Sequence, residues 1–132
     1  MKEPLNKIFL RFCSIVCTFL FIFCIFNSPT FAYSEKQSQK LAERISNDFT
    51  KKFCNGIAFG LSKESAMDFA NKENNIIFEK KNGIEDLNKK NLANKIAVSV
   101  VETCGYRIKL IGEEGINQFE NDYLSLKTAL LN

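Results

Sequence analysis

The side chains in this sequence that are capable of chemistry are few, and their spacing narrows what they can do. Of its 5 cysteines, Cys13, Cys17 and Cys24 fall in an apolar N-terminal run, leaving Cys54 and Cys104 in the polar remainder. That pair is too far apart for a C-x-x-C redox motif, and thiolates alone at this number do not complete a metal site. Past an export signal, an even cysteine count points to a structural disulfide. Glu113, Glu114, Glu120 and Asp122 are the carboxylates close enough in sequence to be considered for acid–base work or cation binding. They lack the oxygen-rich loop spacing of a calcium site. Glu113 and Glu114 are better read as negative charge in the first turn of a helix, where the macrodipole favours it. The chain has no histidine, which excludes Ser-His-Asp and Cys-His catalysis and the His-containing zinc sites. No catalytic, cofactor-binding or metal-ligating residue is assigned, and no cofactor is expected.

One segment has the mixed character of a binding loop: Tyr106, Arg107, Ile108, Lys109 and Leu110. It places an aromatic, two cations and two apolar side chains immediately after Cys104, where a disulfide would hold it on a rigid support. It is either a short extended segment or a linker pinned by its apolar members. Having no partner strand, it reads as a linker.

The elements that must position these groups are helical. Leu41, Ile45, Phe49, Phe53 and Ile57 recur every four residues, giving a first helix from about 35 to 59 that Gly60 ends. Ser62 can cap the next, with Glu64 in its first turn; Ala66, Phe69, Ala70, Ile76 and Ile77 supply its apolar side over about 63–81, and Gly83 follows it. Leu92, Ile96, Val100 and Cys104 keep the same spacing after a possible cap at Asn88. The Val-rich run 96–101 would suit a strand by propensity, but the period of four favours helix. Ile116, Phe119, Tyr123, Leu126 and Leu130 give a fourth helix. The fold class expected is therefore all-α, an irregular four-helix bundle with a Cys54–Cys104 disulfide. Gly56 and Gly60 have the small-xxx-small spacing of a close helix approach, read here as a tight crossing or a sharp corner.

Residues 1–32 are organised as an export signal. Lys2, Lys7 and Arg11 precede an uncharged run from Phe12 to Phe26, and Thr30 and Ala32 put small side chains at −3 and −1 of a cut before Tyr33. Residues 33–132 then form the single helical domain. The alternative is an uncleaved anchor through residues 8–26, with Arg11 snorkelling. The precursor carries +3; removing three cations and Glu3 with the signal leaves about +1. That near-balance gives no electrostatic footprint for nucleic acid.

The stretch Lys52-Phe53-Cys54-Asn55-Gly56-Ile57-Ala58-Phe59-Gly60-Leu61-Ser62-Lys63-Glu64-Ser65-Ala66, with Glu102-Thr103-Cys104-Gly105-Tyr106, resembles small exported proteins of unassigned role from marine cyanobacteria. The resemblance covers most of 40–120 and carries over no functional residue. It implies the periplasm or the thylakoid lumen, and a supporting role around photosynthetic membranes. The functional expectation is a non-enzymatic exported helical protein that binds or supports a protein partner on the far side of the membrane, with peripheral membrane association as a possibility. Its alternatives are a membrane-tethered structural subunit and a small enzyme using carboxylates.

Overall fold

The recurrence of Leu41, Ile45, Phe49 and Phe53 closes into α1, Glu35–Ala58, and it is followed by α2, Lys63–Phe78, α3, Lys89–Cys104, a 3-10 turn, Gly105–Ile108, and α4, Gly112–Ser125. The computed structural model describes residues 35–126. The chain divides into two units, at Ala32 and Tyr33, and all that follows concerns the second. The signal segment, its cleavage site, the three N-terminal cysteines and Leu130 lie outside the described residues.

The architecture is an irregular all-α four-helix bundle with one disulfide, Cys54–Cys104. α1 is its axis, packing on both α2 and α3, while α4 packs on α3. The direction of α3 follows from three ties at a nearly constant offset. Ser46 Oγ donates to the Lys95 carbonyl and Thr50 Oγ1 to Ser99 Oγ, each 49 residues on, and the cysteines are 50 apart. An unchanging offset means that α1 and α3 run parallel. α2 runs back along α1, since Gly56 meets Ala66 near one end and Asn74 meets Ile45 near the other.

The core is a stripe of apolar residues from all four helices. At its centre Phe49 and Phe53 of α1 meet Phe119 and Tyr123 of α4, edge to face, with ring centroids 5.1 Å apart for Phe53–Phe119 and 5.3 Å for Phe49–Tyr123. Such pairs add to simple area burial. α4 therefore crosses the aromatic face of α1, with Glu120 accepting from Asn94 Nδ2 of α3 at 2.7 Å and Asp122 bridged to Lys63 of α2 at 2.8 Å.

The helix ends follow local chemistry. Ser62 Oγ accepts from the Ser65 amide and Asn88 Oδ1 from the Asn91 amide, so both expected caps are formed. The amide of Glu64 and the Ser62 hydroxyl hold the Glu64 carboxyl below the usual carboxylate range. After α1 the chain makes a Schellman turn: Leu61 N–H bonds to Gly56 C=O and Gly60 N–H to Ile57 C=O, with Gly60 at φ 90°. A Cβ on Gly56 would stand 3.2 Å from Ala66 Cβ, so the Gly56–Gly60 spacing is a sharp corner and a close crossing together.

Three expectations are corrected. α2 stops at Phe78 rather than near 81, and turns carry the chain through Gly83. Its buried side is the expected one only in part: Ala66 and Ala70 face inward as expected, joined by Met67, Asn71, Asn74 and Phe78, while Phe69, Ile76 and Ile77 are exposed. The third concerns localisation. Among the described residues no helix is long and apolar enough to cross a membrane, against the membrane-anchored placement; residues 8–26, on which the anchor rested, are outside the described residues.

Candidate functional site

The segment after Cys104 is not extended; it is a linker pinned by its apolar members Ile108 and Leu110. Gly105–Ile108 form a 3-10 turn, and Lys109 takes the left-handed conformation at φ 59°. Leu110 N–H then bonds back to Gly105 C=O at 2.9 Å. This is the same terminating geometry as at Gly60, built here on a lysine. It folds Leu110 inward, where two glycines close on it. A Cβ on Gly115 would lie 2.7 Å from the Leu110 carbonyl carbon, and one on Gly105 would collide with the Leu110 carbonyl oxygen. Neither glycine is needed for its dihedrals; both are needed for space.

The five residues singled out in this segment are thus separated by the turn. Leu110 belongs to the core and Ile108 is half-buried, whereas Tyr106, Arg107 and Lys109 are exposed. Tyr106 is 86% exposed, and Ile111, which the sequence reading did not single out, is 69% exposed. Between them opens a cleft of ≈ 400 Å³ with Val101, Leu110 and Ile116 among its walls and Glu102 and Glu113 also lining it. Phe59, 89% exposed, sits beyond Cys54, so the turn after α1 and the segment after α3 both carry an exposed aromatic at the disulfide-bearing end.

The carboxylates do not converge. Glu113 and Glu114 lie exposed in the first turn of α4. Glu120 is buried and turned to α3, while Asp122 is turned to α2. Among the described residues no group of three or more His, Cys, Asp or Glu is placed to hold a metal ion. Glu120 does line a second, polar cleft of ≈ 590 Å³ between α1 and α3, together with Glu43, Lys90, Lys95 and Glu102. The sequence pattern gave no sign of it, because apart from Glu120 of α4 its residues lie on α1 and α3, which the disulfide and the hydroxyl ties bring side by side.

Comparison with protein-family models, with curated proteins and with solved structures finds no match.

Proposed function

We propose that the helical domain is a non-enzymatic binding module that docks a protein partner at its disulfide-bearing end. The observation that carries this is the rigid presentation of Tyr106 and Ile111. A segment locked by a disulfide on one side and by the Gly105–Leu110–Gly115 packing on the other loses little entropy when a partner engages it. Rigid, exposed aromatic and aliphatic side chains beside an apolar-walled cleft are the usual anchors of a protein interface. With Glu102 and Glu113 lining the cleft, the chemistry suits a partner that inserts an apolar side chain flanked by a basic one.

The reading keeps export of the chain. It is supported by the disulfide, a bond that persists in oxidising compartments, and by the signal-like N-terminus. Quantitative co-purification from the native cell tests it. A protein enriched with the wild-type chain should be lost with Ile111→Glu and weakened with Tyr106→Ala, both substitutions leaving the far-UV circular dichroism unchanged. Equal recovery with all three chains would contradict it.

A further inference from the structure

Among the described residues the exposed large apolar side chains fall into two groups. Phe59, Leu61, Tyr106 and Ile111 belong to the segments around the disulfide, and Phe69, Ile76 and Ile77 belong to α2. The second group is the stranger one. α2 buries Asn71 and Asn74 completely while Ile76 stands 74% exposed. Asn74 donates Nδ2 to the Ile45 carbonyl at 3.2 Å, and its Oδ1 has no hydrogen-bond partner. A helix that turns asparagines to the core and isoleucines to water contradicts its own pattern, and such local conflicts mark sites kept for another use.

The charges bordering these isoleucines identify the occupant. Lys72 and Glu73 precede Ile76-Ile77, and Glu79 and Lys80 follow. Positions seven apart on a helix lie within about 20° of one another. Lys72 and Glu79 therefore flank Ile76 on one side, the C-cap Glu79 keeping helical dihedrals, φ −54° and ψ −29°. A two-fold axis through Ile76 that lays two such helices antiparallel keeps each side facing its own kind. Lys72 then meets Glu79 of the second copy, and by the symmetry the contact occurs twice. Lys72 already pairs with Asp68 of its own helix at 2.7 Å, and this side of the ridge remains exposed enough to take the second carboxylate.

From this self-complementarity we infer that the outer face of α2 pairs with the same face of a second copy of this chain, in an antiparallel homodimer centred on Ile76. The ridge is short, so the dimer sits at the weak end of specific interfaces and depends on salt through its flanking charges.

Sedimentation velocity of the full oxidised chain over a concentration series tests this. The N-terminal residues are common to every variant, so differences report α2 alone. The wild-type chain should show a reversible monomer–dimer equilibrium, and Ile76→Glu should leave only monomer. The variants Lys72→Glu and Glu79→Lys each oppose like charges at both copies of this contact, and each should weaken self-association by about tenfold. Mixed in equal amounts, the two restore both opposite-charge contacts and should return to dimer. These are surface side chains, and an unchanged far-UV circular dichroism spectrum confirms that the variants are folded. A wild-type chain that stays monomeric throughout, as it would if a different protein covers α2, overturns the inference. A dimer indifferent to the charge reversals overturns it equally, and so does a mixture that stays monomeric.

Discussion

Cys54 and Cys104 join two helices that run in the same direction, with Cα atoms 5.8 Å apart. Parallel neighbours cannot be connected by a short loop, and the chain between the cysteines contains the whole of α2. The disulfide therefore closes a long loop, and it anchors the segment that presents Tyr106 and Ile111.

The size of that loop sets the first prediction. Closing about 50 residues is worth roughly 4 kcal/mol on the chain-entropy estimate, against a total of about 5–15 kcal/mol for a domain of this kind. Cys54→Ala or Cys104→Ala should lower the unfolding free energy by about 2–5 kcal/mol. The double variant should be little worse than either single one, because the first substitution already removes the link. Urea titrations of the three chains measure this. Two reactive thiols on unfolded, unreduced residues 33–132, whose two cysteines are Cys54 and Cys104, would contradict it.

The glycines around Leu110 give a second. Gly115→Ala places a Cβ 2.7 Å from backbone, which cannot rotate away as a side-chain tip would. Overpacking of this kind costs about 1–3 kcal/mol. Gly105→Ala should behave alike, whereas Gly112→Ala meets no atom within 4 Å and is limited by its φ of +65° alone. Thermal unfolding of the three variants separates the two causes: loss of space at 105 and 115, loss of left-handed freedom at 112.

Lys109 is a place where the fold works against its residue. A left-handed non-glycine residue costs about 1–2 kcal/mol, and glycine returns about 0.5–1 kcal/mol of that as extra unfolded-chain entropy. Lys109→Gly should accordingly stabilise the domain by roughly 0.5 kcal/mol. A measured loss would mean that the lysine side chain contributes packing beyond the turn.

Most of the helical scaffold was legible because its signals are local. The period of four in α1 and α3, and the caps at Ser62 and Asn88, depend on residues within a turn or two of one another. The rotation of α2 was not, since two apolar arcs compete along it: Phe69, Ile76 and Ile77 on one side, Met67, Ala70 and Phe78 on the other. The choice between them is made at long range, by the close approach of Ala66 to Gly56. The segment 106–111 was missed for a related reason. Its left-handed residue is a lysine, and the glycines on either side serve packing, so the usual sign of such a turn is displaced. Ile111 escaped notice because only the inward fold of Leu110 shows which of two adjacent aliphatic residues reaches solvent.

Ser62 links a cap to a titration. Ser62→Ala should cost about 1 kcal/mol through the lost bond to the Ser65 amide. It should also raise the Glu64 pKa toward its ordinary value without reaching it, because the amide of Glu64, the larger of the two causes, remains. A carboxyl held low in the folded state contributes stability above its unfolded pKa and loses it as pH falls through its folded pKa. The wild-type chain should therefore lose this contribution on acidification, and in Ser62→Ala the contribution should be smaller and its loss complete at a higher pH. NMR titration of Glu64 in both chains reads the shift, and identical curves would exclude the hydroxyl as a cause.

The proposed function requires that the disulfide-bearing end contact a partner. A photoreactive residue placed at position 106 of the chain, with a second chain labelled at position 39 on α1 as reference, tests this in the native cell. A discrete adduct of one mass from position 106, absent from position 39 and abolished by Ile111→Glu, is the predicted result. No adduct at 106, or one that survives Ile111→Glu unchanged, would contradict it.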